Sequence, residues 1–277
     1  MIIDIHTHYW RDIDISDDSV TSAEKAGGVK PLFHMTSDMH LEATAAVDKA
    51  VVFGLRGTGT NVPNDIVKKQ VDLAPDRLIF FTSVNPAEEG FMQELYRTHK
   101  DMGAKGIKLG PIYQGVHPLD NRYRLIYSYA EKHGLPIVIH MATTFVHDYP
   151  LEYARPIHMD KIAIDYPKLK IVLAHLGHPW IGEAVSIIRR QPNVYADLSA
   201  LYYRPWQFYN AMQLLVEYGT WKKVLFGSDF PFTKPADSVA GLKNVNHVVD
   251  GSPLPKIPQE VIDDILYRNS LKLLGIG

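Results

Sequence analysis

Met1-Ile2-Ile3-Asp4-Ile5-His6-Thr7-His8 is the stretch that decides how this chain folds. Residues 1–5 form an apolar run that reads as a strand, and the run closes on Asp4-Ile5-His6-Thr7-His8. Side chains alternate between faces along a strand, so His6 and His8 share a side. Two imidazoles at a strand end can grip one divalent ion from one direction. A His-x-His near a terminus is also an ordinary surface feature, so the remaining ligands must come from elsewhere in the chain.

Outward from this strand, similar apolar runs recur. Strands are predicted over residues 50–54, 77–84, 105–109, 136–140, 170–175, 193–198 and 223–227. Most are separated by helix-like segments: 36–49 with Thr36 or Ser37 as its cap, 64–73, 88–102 ended by Gly103, 121–133 ended by Gly134, 160–165, 180–190 and 205–218. The C-terminal part reads as helix with proline breaks. Nearly continuous Val/Ile runs mark strands buried on both faces, the habit of parallel sheets. Eight such units predict an α/β fold, a (β/α)₈ TIM barrel formed by residues 1–277 as a single domain. An open doubly wound sheet is the alternative.

Two stretches interrupt this rhythm. Residues 9 to about 31 form a polar insertion carrying Asp12, Asp14, Asp17 and Asp18, expected as a solvated loop rather than a second metal site. Arg56-Gly57-Thr58-Gly59-Thr60 follows the second strand, but it has no Walker lysine and no full G-x-G-x-x-G, so it is not a phosphate cradle.

Composition excludes several classes. Hydrophobic residues make up 46% and charged residues 22%, which suits a globular protein with a large core. A net charge of -2 without a basic run argues against nucleic acid or an anionic membrane as partner. With no cysteine, thiolate sites, iron–sulfur clusters and disulfides are out, so any metal must be held by nitrogen and oxygen. No run is long enough to span a membrane and no secretory signal opens the chain, so the expected location is the cytoplasm.

A barrel gathers the C-terminal ends of its strands at one rim. There this sequence places His6 and His8, Lys108, His140, His175 and Asp229. The last three directly follow apolar runs, where an unpartnered polar group is costly. His6, His8, His140 and Asp229 are a three-nitrogen, one-carboxylate set suited to Zn²⁺ or to Mn, Fe or Co. Polar loops begin at every strand end, which explains one or two such residues but not the repeated choice of imidazole or carboxylate. The remaining nine of the 13 histidines, His147, His158 and His178 among them, are read as ordinary loop or helix residues.

The ordered motifs Asp-Ile-His-Thr-His, Lys-Gly-Ile-Lys-Leu, Ile-Val-Ile-His, Leu-Ala-His-Leu-Gly and Phe-Gly-Ser-Asp-Phe-Pro resemble the amidohydrolase superfamily over most of the chain, to about Pro231. The branch they look like contains aminocarboxymuconate semialdehyde decarboxylase and related metal-dependent hydrolases. The resemblance implies that His6, His8, His140 and Asp229 hold one divalent metal, and that His175 hydrogen-bonds the metal-bound water or the substrate. For Lys108 it leaves three readings: carbamylated bridge to a second ion, cationic anchor for a substrate carboxylate, or a strand-end lysine without special role. Lys105 lies in the same strand, farther from its end.

The expected chemistry is hydrolysis of an amide, lactone or related carbonyl bond. A divalent ion lowers the pKa of bound water to about 7. Asp229 would take the proton and return it to the leaving group, while His175 steadies the developing charge. Decarboxylation of an aromatic or dienoic acid is the alternative. It wants a cation, for which Arg56, Arg204 and Arg155 are candidates, and flat walls, for which Trp180, Tyr113, Phe145, Tyr202, Tyr203, Trp206 and Phe232 are candidates. A Schiff-base lyase using Lys108 and a metal-free lactonase are further options. The partner expected is a small molecule, in one reading carboxylate-bearing, and the aromatic stretch 202–209 could serve a homo-oligomer.

Overall fold

The computed structural model describes residues 1–25 and 32–277. Eight parallel strands form its centre. β1 is Ile3–His8, β2 is Lys49–Phe53, β3 is Leu78–Phe80 continued by Thr82–Ser83, and β4 is Ile107–Leu109. β5 is Ile137–His140, β6 Ile171–Ala174, β7 Val194–Asp197 and β8 Val224–Leu225. Each pairs in parallel with the next. Phe81 joins the two parts of β3: its N–H donates to Val52 O at 3.0 Å, while the Thr82 N–H donates to Gly106 O at 3.0 Å.

The ring closes between β8 and β1. Ile5 N–H donates to Phe226 O (3.1 Å), Asp229 N–H to His6 O (2.9 Å) and His8 N–H to Phe230 O (2.7 Å). With every strand paired on both sides the sheet has no edge, so the barrel holds and the open-sheet alternative falls.

Helices return the chain outside the barrel. Helix Asn121–His133 shows why they form where they do: Asp120 accepts from Arg122 N–H at its start, and Gly134 ends it with φ 68°. Helix Ile181–Arg190 buries Ile181, Ala184, Val185 and Ile188, the spacing of one helical face. The first predicted helix ends earlier than the sequence pattern suggests, at Thr44, because Lys49 already belongs to β2.

Two apolar layers result. One lies between strands and helices. The other fills the barrel with Ile3, Ile5, Val51, Phe53, Phe81, Val138, Val172 and Leu225, and helix Ser270–Leu274 closes its lower end with Leu271 and Leu274. Gly106 makes room for the Phe81 ring, since a Cβ there would lie 2.3 Å from Phe81 Cε2.

The insertion after β1 is more ordered than a solvated loop. A 3₁₀ turn spans Asp12–Asp14 and a helix spans Asp17–Lys25. Asp14 is held by Arg11 and Asp12 by His34, while Asp17 and Asp18 stand in the first turn of the helix. Ile15 bridges to Thr60 of a small hairpin made by Arg56–Gly57 and Thr60–Asn61, the segment read as a loop from sequence. Residues 26–31, the end of the predicted insertion, lie outside the described residues.

Candidate active site

Alternation alone does not bring His6 and His8 inside. Ile3 and Ile5 already face the barrel interior, so strict period two would turn His6 outward. The β1–β2 register shifts between Asp4 and Thr7: Asp4 pairs with Ala50 and Thr7 with Val52. This extra residue is a bulge, and it resets the parity. His8 then pairs with Phe53, and the His6 and His8 rings lie 5.0 and 4.8 Å from the Phe53 ring.

On β4 and β5 no correction is needed. Lys108 and His140 lie on the same side as Val138, and all three point inward. After β6 and β8 the chain turns sharply. His175 and Asp229 have φ of 61° and 65°, and Ala200 beyond β7 has 61°. Such left-handed conformations cost non-glycine residues about 1–3 kcal/mol each and collect at functional sites.

The side chains meet in one buried cluster. Asp229 Oδ1 lies 3.2 Å from His6 Nε2 and 3.5 Å from His8 Nε2. His140 Nδ1 lies 3.1 Å from His175 Nε2. Ligand atoms of His6, His175 and Asp229 all fall within 4.8 Å of one another. Lys108 Nζ lies 2.9 Å from His6 Nε2 and 4.6 Å from the centre of the Phe53 ring. The structure thus brings together His6, His8, Lys108, His140, His175 and Asp229.

Asp197, at the end of β7, was missed by sequence reading although it too follows an apolar run. It is fully buried and organises the cluster. Its Oδ2 holds His6 Nδ1 at 2.9 Å. Its Oδ1 accepts from the backbone N–H of His175 and of Ser199, each at 3.0 Å, and from the Ser199 hydroxyl. Ser199 Oγ in turn holds His175 Nδ1 at 2.7 Å. One carboxylate therefore fixes two imidazoles, leaving Nε2 of each facing the cluster.

The donor set suits a cation. His140 Nε2 donates to Ala142 O at 2.9 Å, so its lone pair is on Nδ1, facing the lone pair of His175 Nε2. Two opposed lone pairs call for a proton or a metal ion to settle them. Burial pushes the pKa of His8 down to about 4 and of His140 to about 3, which keeps both neutral, as ligands must be. Burial alone would raise Asp229, but His175, His6 and His8 outweigh it and hold the carboxyl well below its usual range. Burial pushes Lys108 down to about 8, with Asp229 and Asp197 acting against that fall.

A cavity of about 320 Å³ opens above the cluster. Its floor includes His8, Lys108, His140, His175 and Asp229, and Tyr113, Phe145, Tyr203 and Phe232 supply aromatic wall. The insertion adds Trp10, Ile15 and Ala23, with Phe33 following it. His178 and Arg204, read as an ordinary histidine and as one of three candidate cations, also line it. Arg56 and Trp180 do not. Arg56 donates to Glu88 Oε2 at 2.6 Å in a neighbouring cleft, and Trp180 stands ahead of helix Ile181–Arg190. Arg155 pairs with Glu183, and Trp206 is exposed. Of the residues expected to contact substrate, Lys108 and Tyr113 line the cavity, whereas Arg56 and Trp180 are not among its lining residues.

A second group, His117, Glu152 and His158, also gathers possible ligand atoms. Leu119 N–H donates to His117 Nδ1 at 3.1 Å, so the ring's proton sits on Nε2 and points at Glu152. That is a hydrogen-bonded clasp, not a metal site.

Comparisons with known proteins agree with this fold. An uncharacterized TIM-barrel protein from Bordetella bronchiseptica superposes with TM-score 0.76 at 21% identity, covering 99% of this chain and 98% of that one. A probable 2-pyrone-4,6-dicarboxylic acid hydrolase from Acinetobacter baumannii, solved with citric acid bound, gives 0.69 at 16% identity, covering 99% of each chain. A dihydroxybenzoic acid decarboxylase from Polaromonas sp. JS666, solved with manganese and the inhibitor 2-nitroresorcinol, gives 0.67 at 15% identity, covering 99% and 97%. Among curated proteins there is no match. No described helix is long and apolar enough to cross a membrane. The sequence model for the family described as amidohydrolase matches residues 3–276, and the chain belongs to that family.

Proposed function

We propose that this protein is a metal-dependent hydrolase that splits an amide, lactone or related carbonyl bond in a small carboxylate-bearing molecule. The observation that carries this reading is the meeting of His8, His140, His175 and Asp229 on the floor of a single cavity, with His6 buried against Asp229. His6, His8, His140 and Asp229 would hold one divalent ion, Zn²⁺ or Mn, Fe or Co. When bound, such an ion supplies Lewis acidity, polarising a substrate oxygen and making water acidic near neutral pH.

The protein's own groups do the rest. Asp229 is held well below the usual carboxylate range, so it begins the cycle ionised, as a base. It accepts a proton from the attacking water and returns it to the leaving group. His175 is held neutral by burial, with Nδ1 tied to Ser199. Its Nε2 can accept a hydrogen bond from the water and so aim the attack. Lys108, with a pKa near 8, is available as ammonium to anchor a carboxylate or as free amine for carbamylation and a second ion. The first is favoured, because Lys108 lines the cavity floor, where a substrate carboxylate would reach it.

Asp229→Asn is the direct test. The variant should retain part of its metal, measured by elemental analysis, and lose about 10²–10⁴-fold in turnover. Wild-type rates in a loaded variant would end the proposal. The same analysis on wild type counts ions: one favours Lys108 as anchor, two favour the carbamate.

A carboxy-lyase acting on an aromatic acid is the second reading, favoured by the walls. Trp10 and Phe33 stack with ring centres 6.1 Å apart, and Phe232 meets both edge-on. Release of CO₂ from a panel of aromatic acids separates the two reactions. Loss of activity on chelation, with no borohydride trapping on Lys108, would dispose of a metal-free or Schiff-base route.

A further inference from the structure

We infer that the cavity reads a second anionic group on its substrate, a carboxylate away from the reacting bond, and that Arg204 is the residue that reads it. This rests on the proposal that the cavity is the substrate site. It does not depend on which bond is broken.

The first observation is how the arginines near this rim are used. Arg56 is paired with Glu88 and Arg155 with Glu183. Arg204 has no carboxylate partner among the described residues, yet it lines the cavity. A guanidinium is always charged, and one left unpaired beside a half-enclosed space is a ready receptor for an oxyanion.

The second observation is that Arg204 is held in place. Its guanidinium carbon lies 4.3 Å from the centre of the Tyr203 ring. Its Nη1 donates to Ala200 O, the carbonyl of a residue whose φ is 61°. Stacking plus one bond to a strained turn fixes the plane of the fork and leaves its other donors free. Pre-ordering of this kind cuts the entropic cost of binding.

The third observation is the balance of charge. Asp229 is the only carboxylate among the described residues lining the cavity. Among the described residues, Lys108 lies near it, fully buried on the floor, while Arg204 stands apart, half-buried in the wall. His178 lies in the same wall, where burial, with Arg204 nearby, pushes its pKa down to about 4. It is therefore a neutral hydrogen-bonding group beside the guanidinium. A monoanion held at the floor leaves the Arg204 guanidinium without an oxyanion. A second carboxylate on the same molecule supplies one.

The test is an equilibrium measurement on the metal-loaded protein, by calorimetric titration. The probes are aromatic and aliphatic dicarboxylates, each beside its half-amide, which keeps the shape and removes one charge. At least one dicarboxylate should bind roughly 10–100-fold tighter than its half-amide, the range of a charged hydrogen-bonded contact. Arg204→Met should abolish that preference with metal content and melting temperature unchanged. Arg204→Lys keeps the charge but loses the fork, and should retain part of the preference, so it reports even if the methionine variant folds poorly. If no dicarboxylate outbinds its half-amide, or if Arg204→Met keeps the preference, the inference is overturned. Failure to cleave any carbonyl bond would defeat the hydrolase reading while leaving this binding preference standing.

Discussion

Val138 and His140 lie two residues apart on β5 and both face the barrel interior, yet they belong to different worlds. Below, Val138 joins Ile3, Val51, Phe81, Val172 and Leu225 in a dry layer sealed by Leu271 and Leu274. Above, His140 joins His6, His8, Lys108, His175, Asp197 and Asp229, all nearly inaccessible to solvent. The lower layer holds the strands in register by burying hydrocarbon. The upper layer buries polar groups, which is tolerable only because nearly every one has a partner. One end of the barrel thus provides stability and the other uses some of it.

The comparison can be broken at several points. Phe81→Ala removes a large ring from the lower layer and should cost about 3–5 kcal/mol in denaturant unfolding. Turnover per folded molecule should hold. A loss of activity beyond the loss of folded protein would mean that the layers are not separable.

Asp197→Asn probes the upper layer without opening a hole. The amide keeps the shape but not the charge that orients His6 and, through Ser199, His175. Metal affinity or activity should fall about 10–100-fold, the usual effect of losing a ligand's supporting carboxylate. Unchanged metal affinity and unchanged rate together would remove Asp197 from the site.

His40 sharpens the contrast, being a buried imidazole outside the cavity. It packs against Tyr9 and Phe230, and burial, with Arg77 second, pushes its pKa down to about 3 from 6.5. Between those values the unfolded chain binds more protons than the folded one. Stability from this residue is therefore complete above pH 6.5 and is lost as pH falls toward 3. Urea midpoints taken between pH 7 and pH 4 should drop, and His40→Gln should flatten that slope. An equal slope in the variant would assign the acid sensitivity elsewhere.

The smallest effect belongs to Arg56→Gln. Its pair with Glu88 is partly exposed and lies in the neighbouring cleft. Removing it should change stability by about 0–1 kcal/mol and leave turnover near wild type. A large fall in activity would bring Arg56 back to the substrate.

Periodicity and strand-end chemistry carried much of this. The eight apolar runs, the glycine after helix Asn121–His133, and the choice of imidazole or carboxylate after β1, β5, β6 and β8 are all local features. Lys108 and His140 could be aimed correctly by alternation alone, because β4 and β5 are regular. The insertion was misjudged because three of its apolar residues, Trp10, Ile15 and Ala23, gain a reason to order only when the cavity is there to be walled.

By itself, the sequence determined that parallel strands would alternate with helices and that their ends would carry imidazole and carboxylate groups without sulfur. Only the tertiary structure decided which of those groups touch. A bulge in β1 turned His6 inward, left-handed turns brought His175 and Asp229 to the floor, and Glu88 drew Arg56 away while no carboxylate among the described residues claimed Arg204. The physical reason is that backbone parity, turn strain and the pairing of charges are settled by neighbours distant in sequence, which a local pattern does not contain.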